Sequence, residues 1–82
     1  MPGAPAGGRP DAARHHVVVA GDNLWRIAAA EVARVTGAAR APDAAVLPYW
    51  RAVVAANRAT LRSGDPSLVY PGEVVTLPPH RA

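Results

Sequence analysis

The chain has 82 residues, half of them hydrophobic, with no cysteine and no phenylalanine. All nine basic residues are arginine, and against six acidic residues they leave a formal net charge of +3. The length supports one small domain. The missing cysteine excludes a disulfide framework, a Cys-based zinc site and a cysteine nucleophile. No run of ~18 apolar residues is present, so direct insertion into a membrane as a spanning helix is excluded too. Alanine makes up nearly half of the hydrophobic residues, so the apolar fraction overstates the side-chain volume available for a core.

The pI near 10.6 reflects how high arginine titrates. Arg26, Arg34, Arg40, Arg51, Arg58 and Arg62 are spread along the sequence. A nucleic-acid-binding domain usually gathers its basic residues on one face. The dispersed pattern reads as a solvated surface with an arginine-biased composition, and nucleic acid is not expected as a partner.

Residues 1–14 are rich in Gly, Pro and Ala and hold no large aliphatic side chain beyond Met1. They cannot bury enough surface to offset ordering entropy and read as a disordered leader or linker. Residues 1–10 also lack the apolar core of a signal peptide. The ordered domain is expected over 15–79, with 80–82 as a tail.

His16-Val17-Val18-Val19 is short and β-branched and ends at Gly21-Asp22, the pattern of a strand. Alternation sets His16 and Val18 on one face, Val17 and Val19 on the other. Asn23 is suited to cap the helix that follows. Leu24, Ile27, Ala28, Val32 and Val35 then mark one helical face, and Thr36-Gly37 stops it. Residues 36–47 read as a long loop, with a short helical turn beginning at Asp43. Pro48 reads as the opening residue of a second helix, where its missing N–H costs nothing. Trp50, Val53, Val54 and Asn57 lie along one side of that helix, with Arg51 and Arg58 on another. Ser63-Gly64-Asp65-Pro66 is turn chemistry. Pro71-Gly72 fits a type II turn. Val74 to Leu77 is the second strand, with Val75 and Leu77 on one face. The expected class is α+β in βααβ order: a two-stranded antiparallel sheet with two helices packed on one face.

Two motifs carry a family resemblance. Gly21-Asp22-Asn23-Leu24-Trp25-Arg26-Ile27-Ala28 resembles the G-D-[ST]-L-W-x-I-A signature of the LysM domain. Asn57 followed by Pro71-Gly72-Glu73-Val74-Val75-Thr76-Leu77-Pro78 resembles the family's second half, which closes on P-G-Q-x-L-x-[IL]-P. The resemblance covers about residues 16–78, with the βααβ order between the motifs. Four positions depart from the pattern: Ala20 for Pro, Asn23 for Ser or Thr, His16 for Tyr and Glu73 for Gln. The long inter-helix connection is a fifth departure, and it leaves the preferred ligand length open.

The resemblance implies binding without chemistry, to glycans containing N-acetylglucosamine, here peptidoglycan or N-acetylglucosamine oligomers. It implies a groove between two loops. Carried onto this sequence, one wall is Gly21, Asp22, Asn23 and Leu24, and the other is Pro66, Ser67, Leu68, Val69 and Tyr70. An N-acetyl group needs a backbone N–H, a backbone C=O and an apolar spot for its methyl. Gly21 permits close backbone approach, and Leu24, Leu68 or Val69 would meet the methyl. Tyr70 would lie against a pyranose face or donate its hydroxyl. The resemblance also implies weak single-module binding, a bacterial cell-envelope location, and attachment to a membrane anchor or enzyme domain in a longer parent.

Plainer readings stand beside these. Asp22 would also stabilise the positive end of the first helix. Trp25 and Trp50 read as core packing, needed where phenylalanine is missing. Asn57 reads as a buried polar group satisfied by loop backbone. His15 and His16, adjacent on a strand, point to opposite faces and do not share a metal. No cofactor is expected. Ser63 and Ser67 have no His–acid arrangement nearby, and Glu31 and Glu73 do not read as a glycosidase pair, so no enzymatic activity is expected. The alternatives to glycan binding are a protein–protein adaptor on the same fold and, behind it, a small basic nucleic-acid-binding domain, which the pI and the placing of Arg51 and Arg58 on one helix face would support.

Overall fold

A computed structural model describes residues 13–79. Four elements follow in chain order: β1 (Arg14–Val17), α1 (Leu24–Thr36), α2 (Asp43–Asn57) and β2 (Val74–Leu77). The strands pair antiparallel, Arg14 opposite Leu77 and Val17 opposite Val74. The architecture is α+β in βααβ order, as expected. The leader expected over 1–14 lies, up to residue 12, outside the described residues, as does the tail 80–82; Arg14 itself belongs to β1.

The register assigns the two sheet faces. Arg14, His16, Val75 and Leu77 share the face toward the helices, and Val75 and Leu77 are buried there. His15, Val17, Val74 and Thr76 share the other, where Val17 and Val74 are exposed. β1 begins two residues before the expected His16 because the pairing runs on to Leu77. It ends at Val17, but Val18 still bridges to the second half of the chain. Its N–H donates to Glu73 O at 2.8 Å, and its carbonyl accepts from Gly72 N at 2.7 Å.

α1 starts where expected. Asn23 Oδ1 accepts from Arg26 N at 2.8 Å, satisfying one of the free donors of the first turn. The helix closes on Gly37 in the left-handed region. Leu24, Ile27, Ala28 and Val32 are buried, with Glu31 beside them. Glu31 meets Arg34 at 2.8 Å and Arg14 at 3.2 Å, so the buried carboxylate is neutralised by two half-exposed guanidinium groups.

α2 corrects two expectations. It begins at Asp43, not Pro48, and Pro48 lies inside it. The loop between the helices therefore spans residues 37–42, not 36–47. Pro42 stands at the N-cap, and Ala45 N and Val46 N both donate to its carbonyl. Asp43 in the first turn suits the positive helix end, and Ala44 and Ala45 are strong helix formers. These favourable contributions outweigh the single backbone bond that Pro48 cannot donate.

The earlier start brings Val46 into the core, and Tyr49, already within the expected helix, is buried as well; sequence reasoning missed both. The core comprises Val18, Leu24, Ile27, Ala28, Val32, Val46, Tyr49, Val53, Val54, Leu61, Val75 and Leu77. Tyr49 donates its hydroxyl to Pro78 O at 2.7 Å. Burial pushes its pKa up to about 12. Trp25 and Trp50 are only half-buried and pack against this core from its margin.

Candidate functional site

The β1–α1 loop is drawn tight by one carboxylate. Asp22 Oδ2 accepts from Val19 N at 3.0 Å and meets His16 Nε2 at 2.8 Å. These bonds, the one from His16 foremost, hold the Asp22 carboxyl below the usual range. Asp22 N donates back to Val19 O at 3.0 Å. The turn puts Gly21 at φ +91°, a conformation that disfavours a side chain. Asp22 thus shapes the loop through His16 and Val19, a partnership beyond either reading made from sequence.

The α2–β2 connection is anchored at both ends by Glu73. Its Oε2 accepts from Arg62 N at 2.9 Å and its Oε1 from Tyr70 N at 2.7 Å. The backbone bonds from Arg62 and Tyr70 lower its pKa in spite of burial. Between those anchors, Asp65 Oδ1 accepts from Ser67 N at 2.9 Å, and the Ser63 hydroxyl donates to Leu68 O at 2.7 Å. Leu61 is the buried plug at the start of the connection. Gly72, at φ +92°, donates to Val18 O and ties the second turn to the first loop.

These two loops meet at an open groove of about 360 Å³ lined by Asn23, Leu24, Trp25, Trp50, Pro66 and Ser67. The two expected walls therefore converge, through Asn23 and Leu24 on one side and Pro66 and Ser67 on the other. Leu24 is only 1% exposed and serves as floor. The other expected residues do not line the groove. Gly21 is exposed, and Asp22 is turned to His16. Val69 packs against the core. Leu68 and Tyr70 are 45% and 37% exposed beyond the groove.

Trp25 and Trp50 complete the lining; the expectation of core packing holds in part, since both pack against the core but stay half-buried. Their ring centroids lie 5.8 Å apart at an interplanar angle of 55°, within the range of favourable tilted aromatic pairs. Trp25 sits one position, ~100°, from Leu24 around the helix, so it falls at the border of the buried face. That offset was the available signal. Trp50 lies within the apolar side of α2 and gave none.

Uncommitted polar groups stand on both walls. The Asn23 cap uses only Oδ1, and among the described residues Nδ2 and the Ser67 hydroxyl make no hydrogen bond. No carboxylate or imidazole lines the groove. Among the described residues no group of three or more His, Asp and Glu is arranged to hold a metal ion, and no helix is long and apolar enough to cross a membrane. Compared with protein families, curated proteins and solved structures, the chain has no significant match.

Proposed function

We propose that the chain is a non-catalytic carbohydrate-binding module of the LysM type, recognising N-acetylglucosamine-containing glycans such as peptidoglycan. One observation carries this reading. Two loops far apart in sequence, both pointed to by the family resemblance, converge on a groove with two indole rings between them. Indole faces suit the C–H face of a pyranose, combining apolar area with a favourable quadrupole. Asn23 Nδ2 would donate to an acetamido carbonyl, and the Ser67 hydroxyl would donate to or accept from a sugar hydroxyl. The groove residues include no acid–base pair, which supports retention over cleavage. The reading implies a working location at the bacterial cell envelope and service as a tethering module beside an anchor or enzyme domain.

The test is an NMR titration with soluble N-acetylglucosamine oligomers, paired with co-sedimentation on insoluble peptidoglycan. The amides of Asn23, Leu24, Trp25 and Ser67 and the indole N–H signals of Trp25 and Trp50 are expected to shift. An unchanged spectrum at millimolar oligomer, with protein left in the supernatant, overturns the reading. A partner protein captured through an unaltered groove would favour the adaptor alternative.

A further inference from the structure

Trp50 lines a second hollow, of about 490 Å³, on the exposed side of α2. Its other lining residues are Arg51, Val54, Ala55 and Arg58. Arg51 and Arg58, seven residues apart, stand nearly in line two helical turns apart, about 10 Å along the axis. Val54 and Ala55 form an apolar floor between them.

The charges in this hollow are uncompensated. Among the described residues, neither Arg51 nor Arg58 makes a side-chain hydrogen bond or ion pair, and no acidic residue contributes to the lining. Arg14 and Arg34 are engaged on Glu31 and Arg26 on Gly21 O at 3.5 Å; Arg40 and Arg62 also make no side-chain bond among the described residues, but neither lines this hollow. Because Trp50 borders both hollows, a chain lying across its ring from the groove would next meet these two guanidinium groups.

We infer that this face is a cationic extension of the glycan groove, in which Arg51 and Arg58 take carboxylates carried by an acidic amino-sugar chain. The inference rests on the glycan-binding reading and adds a discrimination between acidic and neutral chains. Guanidinium groups present planar paired donors that match carboxylates. Two cations flanking an apolar strip suit a ligand that is mostly sugar with spaced charges. A nucleic acid, charged at every residue, calls for a clustered patch.

The experiment uses the full chain and three soluble probes measured by calorimetry. These are a neutral N-acetylglucosamine oligomer, an alternating oligomer of N-acetylglucosamine and N-acetylmuramic acid, and that second oligomer with its carboxylates converted to amides. The acidic oligomer is expected to bind at least about five-fold more tightly than the other two at low salt, the preference shrinking as salt is added. Arg51→Gln combined with Arg58→Gln should remove the preference and leave affinity for the neutral oligomer unchanged. Both positions are exposed, so a thermal melt of the double variant should match the parent's. A preference that persists in the double variant, or that the parent lacks, overturns the inference and leaves glycan binding intact. If none of the three probes binds, the functional reading fails and the inference falls with it. A short mixed-sequence oligonucleotide that binds more tightly than the acidic oligomer, through the same two arginines, also overturns it.

Discussion

Asn57 closes the free edge of β2 by pairing with Thr76 as a neighbouring strand would. Its Oδ1 accepts from Thr76 N at 2.7 Å, and its Nδ2 donates to Thr76 O at 2.8 Å. The same Nδ2 reaches Val53 O at 2.7 Å, inside α2. The amide is satisfied by strand and helix backbone, where loop backbone was expected. Asn57→Ala leaves both Thr76 groups without their side-chain partner. A loss of about 2 kcal/mol is expected, because unpaired buried groups carry their full desolvation cost. In a domain of this size that corresponds to a fall in Tm of about 10 °C, which a thermal melt followed by circular dichroism would register.

Stability should fall in acid for a definable reason. Asp22 and Glu73 are both held below their ordinary values of 3.8 and 4.5 by hydrogen bonds present only in the folded chain. A carboxyl lowered in this way contributes stability that is complete above its unfolded pKa and disappears as pH drops through the folded one. Tm should therefore be level near neutrality and decline below about pH 4.5, Glu73 contributing first and Asp22 at lower pH. Glu73→Gln keeps the shape but presents an amide NH2 to one of the two backbone donors. It should lower Tm at neutral pH and flatten the acid limb of a Tm-against-pH curve; an unchanged limb would contradict the assignment.

Tyr49→Phe isolates one buried hydroxyl. The bond to Pro78 O fastens the end of β2 to α2, and its loss should lower stability by about 1 kcal/mol in urea unfolding. Burial pushes the Tyr49 hydroxyl up to about 12, so the substitution should also remove the late phase expected in an ultraviolet titration of the tyrosines. Retention of that late transition in the variant would show that it belongs elsewhere.

Trp50→Ala separates packing from recognition. The ring is half-buried, so a stability loss of about 2 kcal/mol is expected, below the ~3–5 kcal/mol of a fully buried tryptophan. Trp50→Phe should restore most of that loss and only part of the oligomer affinity. Both quantities come from the same samples, by denaturant unfolding and by titration. Full affinity in a folded Trp50→Ala protein would remove the indole from the binding surface.

Gly21→Ala tests the loop geometry alone. An added Cβ would meet nothing within 4 Å, so any cost is that of holding a side chain at φ +91°. About 1–2 kcal/mol is expected from that backbone conformation. The cost should come with altered amide shifts across residues 19–23 in NMR spectra.

α1 and β2 were readable from sequence because each carries its own signal: the Asn23 cap with its apolar face, and the Val75/Leu77 alternation after Pro71-Gly72. β1 was read two residues late because Arg14 and His15 are polar, and what recruits them is their pairing with Leu77 and Thr76, a non-local cause. α2 was read short because Pro48 resembles a helix start, and the bonds to the Pro42 carbonyl cannot be seen in composition. The candidate site was half legible. Its walls at Asn23 and Leu24 lie in the first motif, and those at Pro66 and Ser67 followed from the groove that the resemblance implies. The partial exposure of Trp25 was signalled only by its offset from Leu24, and that of Trp50, within the apolar side of α2, by nothing in the sequence. Likewise, nothing local ties Glu73 to Arg62, eleven residues before it in the chain.

Glu73 grips only main-chain N–H groups, those of Arg62 and Tyr70. Such a clasp does not depend on the identity of the side chains at Arg62 and Tyr70. The stretch between them can then exchange residues at Pro66, Ser67 and Leu68 while its two ends stay moored. The loop is accordingly a cassette, whose sequence can be rewritten on an unchanged frame.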